Sequence, residues 1–248
     1  MSARADHAEV QRRYFEHADV ERYAWTTGAP GFADTEDALV GPLLDDAEGP
    51  CLEIGCGEGN NLVRLARRVA CTGVDLFPAK LHFAAREIPA ARFAASDAGT
   101  LPFRAGVFRT VFIRDLLHHV PAPHAVLAEA MRVLAPGGRF ILLEPNGRNP
   151  LVNLQTRIVP AEAAARRFGP AYIRGLLEPL PLATIDLRML QPLPLRRLAL
   201  HYRCGLPALG RIAATRRALV AIEALLARLL PASRWAYVAA VATRAPTR

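Results

Sequence analysis

The stretch LEIGCGEGNN, residues 52–61, sets glycines at 55, 57 and 59 directly after a short apolar segment, CLEI. A glycine-rich turn between strand and helix lets backbone N–H groups approach a ligand where a Cβ would collide. It also aims the helix N-terminus at that ligand. The dinucleotide-binding spacing is G-x-G-x-x-G, whereas this turn reads E-x-G-x-G-x-G, one residue shorter. Glu53, inside the strand's end, would repel a pyrophosphate and attract an amino group. The turn therefore suits a nucleoside with a cationic tail.

Outward from the turn, strand and helix patterns alternate. NLVRLARRVA reads as an amphipathic helix, and CTGVDL, ARFAAS, RTVFIRD and PGGRFILLEP read as strands. PAKLHFAARE and APHAVLAEAMRVLA read as further helices. This alternation predicts an α/β class: a doubly wound, parallel sheet with right-handed crossovers, covered on both faces. Residues 1–48 read as a helical prelude and 49–146 as the core. Residues 147–248 read as further helices with two last strands, TIDLRML and WAYVAAVATR. On a helical wheel for 211–230, Ile212, Leu219, Ile222, Leu225, Leu226 and Leu229 share one face, which is expected to pack on the protein's own core. A membrane surface or an apolar ligand is the competing partner.

The 248 residues include 31 basic and 23 acidic groups, and Lys80 is the sole lysine. Residues 1–150 hold 16 basic and 19 acidic groups (−3), against 15 and 4 (+11) in residues 151–248. A one-sided basic surface attracts phosphates, anionic headgroups or acidic substrates, although a solvated arginine-rich face gives the same count. No apolar run approaches the roughly 20 residues of a membrane span, and the start lacks a signal peptide's apolar centre. Cys51, Cys56, Cys71 and Cys204 have neither metal nor disulfide-framework spacing and read as reduced thiols of a cytoplasmic protein.

LEIGCGEG resembles the first motif of the class I S-adenosylmethionine-dependent methyltransferases, and the segments after it follow in order. The resemblance implies a Rossmann-like, seven-stranded sheet with N-terminal lid helices, a helical C-terminal insertion, and S-adenosyl-L-methionine as cofactor. It places Glu53, Gly55, Cys56, Gly57 and Gly59 around the donor. Asp75, 18 residues after Gly57, would take both ribose hydroxyls. ASDAGTLPF resembles the third motif, so Asp97 would accept from the adenine amino group and Ala98 would offer its backbone, with Leu76 and Phe77 flanking the ring. Either aspartate alone could equally be a turn or cap residue. Tyr14, Tyr23 and Trp25, in YFEHADVERYAWTTG, are lid candidates, with Tyr23 able to bring its hydroxyl to the acceptor; core packing explains each equally well.

RDLLHH resembles the R-D-x-x-x-H segment of small-molecule methyltransferases, phosphoethanolamine N-methyltransferases among them. This implies that Arg114 sits against the cofactor while Asp115 and His119 contact and deprotonate the acceptor. Were the segment helical, Asp115 and His119 would be i and i+4 on one face. His118 leaves that assignment ambiguous by one residue. A metal site from His118, His119 and His124 is disfavoured, because adjacent helical residues point about 100° apart. The Asn/Asp-Pro-Pro-aromatic signature of nucleic-acid amino-methyltransferases is absent here, and His201, Tyr202 and Arg203 form the nearest thing to a nucleic-acid patch. The expected partner is a small or amphiphilic acceptor, with peripheral membrane contact from the basic C-terminal region.

Overall fold

The computed structural model describes residues 3–246 apart from Cys204, with residues 3–8 described by their backbone alone. Seven strands form one sheet: β1 (Cys51–Ile54), β2 (Cys71–Asp75), β3 (Arg92–Ala95), β4 (Phe108–Arg114), β5 (Leu134–Pro145), β6 (Leu182–Leu190) and β7 (Tyr237–Arg244). Their order is β3-β2-β1-β4-β5-β7-β6. The helices are α1 (Ala3–Phe15), α2 (Val20–Gly28), α3 (Ala33–Leu44), α4 (Leu62–Leu65), α5 (Pro78–Glu87), α6 (Pro123–Val133), α7 (Pro150–Ile158), α8 (Pro170–Leu177), α9 (Leu195–Ala199) and α10 (Ala213–Leu229). A 3-10 segment, Pro160–Arg167, follows α7.

Alternate residues of the buried strands feed opposite faces of the sheet, as a two-residue side-chain period requires. On one face Leu52, Ile54, Val111, Ile113, Phe140 and Leu142 pack with Leu127 and Met131 of α6 and with Ile173 and Leu177 of α8. On the other, Cys51, Phe112, Ile141 and Leu143 pack with Leu39, Val40 and Leu43 of α3 and Leu62 of α4. Each fully buried Leu, Ile or Phe contributes about 1.5–3 kcal/mol, so the strands that carry the site rest on rigid packing.

The expectation of a parallel sheet holds for β1 to β5, and β7 departs from it. β7 runs antiparallel to both β5 and β6. The reason is the route of the chain: Leu190 at the end of β6 is registered with Tyr237 at the start of β7. Residues 191–236 leave and re-enter the sheet at one edge, so the strands pair as in a hairpin. That edge also carries the glycine turn, since Pro145 of β5 is likewise registered with Tyr237.

The expectation that α10 buries its apolar face in the core is overturned. Glu223 is the buried residue of α10, and Ile212, Ile222, Leu225 and Leu229 are exposed. The helix packs mainly on α9 and on the 3-10 turn Pro207–Arg211, so its partner is a small surface layer outside the two cores.

Cys51, Cys56 and Cys71 are buried free thiols. Burial, reinforced by Glu53, pushes Cys71 up to about 11, which makes it an inert packing group. Cys204 lies outside the described residues.

Candidate active site

The carboxyl ends of β1 to β5 open into a cavity of about 890 Å³ roofed by α1, α2 and the C-terminal segment. This lies toward the upper end of the roughly 300–1,000 Å³ usual for small-ligand sites. Glu53, Gly55, Cys56, Gly57, Asp75, Leu76, Phe77, Asp97, Ala98, Arg114, Asp115 and His119 all line it. Two expected residues stand apart. Gly59 has φ +82, and a Cβ there would meet Ile88 Cδ1 at 2.6 Å, so it serves the helix packing behind the turn. Tyr23 packs edge-on against Phe83, ring centroids 5.1 Å apart.

The glycine turn wraps around a carboxylate. Asp75 Oδ2 accepts from the Gly57 amide at 2.9 Å and Oδ1 from the Phe77 amide at 3.0 Å, each oxygen keeping lone-pair capacity toward the cavity. Burial raises the Asp75 pKa against the pull of Lys80 and the two amides. Gly57 has φ +52, and the nearest atom to an added Cβ there is Lys80 Nζ at 4.0 Å, so a ligand has room beside the backbone. Asp97 is exposed, and its Oδ1 accepts from the Gly99 amide at 2.7 Å. This local turn holds the carboxylate at the rim.

Glu53 Oε1 accepts from Asn61 Nδ2 at 2.6 Å, while Oε2 is buried without a partner among the described residues. Burial raises its pKa to about 8, with Asn61 and Arg114 opposing. A buried carboxyl oxygen lacking a donor, beside an open glycine turn, fits an ammonium group. Arg114 is buried and bound to Glu36 Oε2 at 2.7 Å, Asn61 Oδ1 at 3.0 Å and Asp115 Oδ2 at 3.3 Å. It locks the floor of the cavity between α3, the glycine turn and β4. Glu36 stays ionised because Arg114 outweighs the opposing effect of burial.

Residues 115–120 form a turn instead of the helical segment weighed for RDLLHH. Asp115 has φ +49, and the i, i+4 argument for Asp115 and His119 falls with the helix. The same turn removes the geometric objection to converging histidines: the His118 and His119 rings lie 3.8 Å apart. His118 Nδ1 is 2.6 Å from Glu144 Oε2 and its Nε2 is 3.3 Å from Glu162 Oε2. Glu144 Oε1 also accepts from the Leu116 and Leu117 amides at 2.9 and 2.7 Å, which fixes the turn on β5. Burial opposes charge on His118, yet the two carboxylates outweigh it and raise its pKa to about 10. Burial likewise disfavours the charge on Glu162, but the contact with His118 holds it down to about 2. His119 is lowered well below the ordinary range, by burial first and by the His118 charge second. His118, His119 and Glu162 bring one nitrogen or oxygen each within 4.8 Å, but His118, protonated between Glu144 and Glu162, has no lone pair to give a cation; His124 takes no part.

Several residues in or behind the lining carry no sequence signal of this role. Glu36, Glu144 and Glu162 look like ordinary helix or strand-end acids. Arg197, from α9, reaches the cavity with Nη1 bonded to Tyr237 Oη at 2.7 Å. Phe15 is the aromatic of the prelude that lines the cavity, edge-on to His119 at 4.7 Å. Of the lid candidates, Tyr14 is exposed. Trp25 is buried, stacked on Phe32 at 3.6 Å, with Nε1 donating to Leu200 O; it fastens α2 to the C-terminal segment. Tyr202 Oη and Arg203 Nη2 both donate to Asp19 Oδ2, so these two side chains are engaged in internal contacts.

Residues 52–142 match the family model described as a methyltransferase domain. Over that stretch the chain is similar to methyltransferase domains. Among curated relatives, 27-O-demethylrifamycin SV methyltransferase of Amycolatopsis mediterranei is 34% identical over 114 residues, 43% of this chain and 42% of that one. A ubiquinone biosynthesis O-methyltransferase of Xanthomonas oryzae pv. oryzae is 30% identical over 154 residues, 58% of this chain and 63% of that one. The chain thus spans about half the length of the curated relatives it matches. Among solved structures, Haemonchus contortus phosphoethanolamine N-methyltransferase 2 shares the fold with a TM-score of 0.68 at 18% identity, over 97% of this chain and 60% of that one. The domain's cofactor, S-adenosyl-L-methionine, fits the residues present: the orphaned Glu53 Oε2 for its amino group, the Gly57 opening for its backbone, and Asp75 for its ribose.

Proposed function

We propose that the chain is an S-adenosylmethionine-dependent methyltransferase acting on a small or amphiphilic organic acceptor. The observation that carries this reading is the shared cavity, in which the glycine turn and Asp75 face the same space as Asp115, His119 and Glu162. When bound, the cofactor supplies an electrophilic methyl group on a sulfonium.

The chain's own work is to hold, align and desolvate. Glu53 engages the cofactor's amino end, Asp75 its ribose, and Asp97 with Ala98 its adenine, flanked by Leu76 and Phe77. Arg114 acts through Asp115 and Asn61, keeping the floor rigid. Alignment of nucleophile and methyl group at about 3 Å is the main catalytic demand of an in-line displacement. His119 stays neutral at pH 7, so its imidazole can accept a proton from an acceptor hydroxyl or amine. Glu162, held by His118, which Glu144 anchors through its other ring nitrogen, fixes the wall beside His119. Phe15 and α1 exclude water from that side.

A second reading, a lipid or phosphobase amine as acceptor, draws support from the exposed basic and apolar C-terminal surface. A cytoplasmic setting is part of the proposal, motivated by the three free buried thiols; no helix among the described residues is long and apolar enough to cross a membrane. The test is isothermal titration with S-adenosylhomocysteine, followed by methyl transfer from isotopically labelled donor to a broad panel of alcohols, phenols, amines and phosphobases. Cofactor binding with transfer to none of them would move the chain to a non-catalytic S-adenosylmethionine-binding role. No cofactor binding at all would end the proposal.

A further inference from the structure

The surface outside the cavity carries an unfinished helix. Along all of α10 the one buried residue is Glu223, whose carboxylate takes the Arg196 backbone N–H at 3.0 Å and the Arg196 side chain at 2.7 Å. Ile222, Leu225 and Leu229 are spaced i, i+3 and i+7, so they share a face turned about 100° or more away from Glu223. They are 46%, 57% and 72% exposed. The helix is thus held by a polar anchor while its aliphatic stripe faces outward, the reverse of ordinary helix packing.

A second, separate feature adjoins the C-terminal end of α10. The chain just beyond Leu229 shares a cleft with α7, and that cleft is lined by Arg148, Arg157 and Arg234 together with Asn153 and Ser233. No carboxylate lines it, and none of the three arginines has an acidic partner within 4.0 Å among the described residues. Leu154 and Ile158 of α7 are exposed beside it. Aliphatic side chains next to a cationic cleft match an interface that is apolar inside and anionic at its rim.

We propose that α10 and the adjoining arginine cleft form a docking surface for an anionic lipid bilayer, with Ile222, Leu225 and Leu229 entering the acyl boundary and the cleft receiving lipid phosphate. Charge selects this occupant. The cleft presents Arg148, Arg157 and Arg234 with no carboxylate among its lining, so a second copy meeting this face would bring like charge to like charge, whereas an anionic surface attracts it. Binding is interfacial, as for amphipathic helices that lie in the headgroup plane. This inference is independent of methyl transfer and stands or falls without it.

The full chain is tested by flotation with phosphatidylcholine vesicles, with or without about one third phosphatidylserine. The wild type should bind the serine-containing vesicles at least about tenfold more tightly, and high salt should release it. The triple change Arg148→Gln, Arg157→Gln, Arg234→Gln should weaken that binding on the order of 100-fold. The pair Leu225→Ser, Leu229→Ser should weaken it about tenfold and lessen the residual binding in high salt. Both sets lie on the surface, and matching thermal melts establish that they fold. Equal binding to neutral and anionic vesicles, no binding, or binding indifferent to both sets of changes would overturn the proposal. So would a dimer, seen by sedimentation velocity, that Leu225→Ser, Leu229→Ser dissociates, since the face would then belong to a second copy.

Discussion

The two sides of the cavity are made differently. On the donor side, Glu53, Gly57, Asp75 and Asp97 all lie in a strand's last residues or within three residues of its end. On the acceptor side, Glu162, Arg197 and Tyr237 arrive from a 3-10 segment, a five-residue helix and the start of the final strand. They are fixed by contacts across 44 residues, from His118 to Glu162, and across 40, from Arg197 to Tyr237. The donor side is thus specified by local turns on a rigid sheet, and the acceptor side by long-range polar pairing. The first can stay constant while the second changes.

The sharpest way to break this comparison is to cut the polar pairing. His118→Ala leaves Glu144 buried without its cation and should cost about 3–5 kcal/mol of stability, measured as a shift in denaturant midpoint. A cost below about 1 kcal/mol would mean that the turn is held by the Glu144 contacts to Leu116 and Leu117 alone. The same pairing sets a pH window. His118 is raised from 6.5 to about 10, so its contribution is full below about 6.5 and disappears as pH rises through about 10. Wild-type stability should fall across that alkaline range, and His118→Ala should flatten the fall.

On the donor side, Asp75→Ala removes an acceptor from the Gly57 and Phe77 amides and from the ribose. S-adenosylhomocysteine affinity should drop by about 2 kcal/mol, roughly 30-fold, with the melting temperature much less affected than in His118→Ala. Unchanged affinity by titration calorimetry would remove Asp75 from the ribose role. On the same side, Glu53 gives the pocket a pH dependence. Its carboxyl, raised to about 8, must ionise to receive an ammonium, so affinity should rise with pH by up to about tenfold per unit and level off above 8. Glu53→Gln should weaken binding and abolish the slope. Least of all, Leu225→Ser on exposed α10 should change stability by no more than about 0.5 kcal/mol in chemical denaturation; a loss above 2 kcal/mol would return that face to the core.

What the sequence made legible follows the same division. The glycine turn, Asp75 and Asp97 are visible because strand periodicity and turn chemistry act over a few residues. Gly57, Asp75 and Asp97 all lie in the lining of one cavity. The 115–120 turn was hidden because RDLLHH has no glycine or proline to mark a bend, and Asp115 adopts φ +49 under tertiary constraint. Glu162 was hidden because nothing local distinguishes it from a solvated acid. The α10 face reads as core on a helical wheel, since amphipathicity reports that a helix wants an apolar partner without naming one. Trp25, an aromatic in a prelude helix that reads equally as lid or as core, is a buried rivet to Leu200.

The registered pair Leu190 and Tyr237 gives the excursion between them an architectural independence. The segment 191–236 leaves and rejoins the sheet at two paired positions, and beyond them Leu200, Tyr202 and Arg203 tie it to Trp25 and Asp19. Changes in that segment away from those ties would leave the seven strands in register while altering the part of the chamber wall that Arg197 supplies. One sheet can in this way be refitted to new chemistry without being refolded.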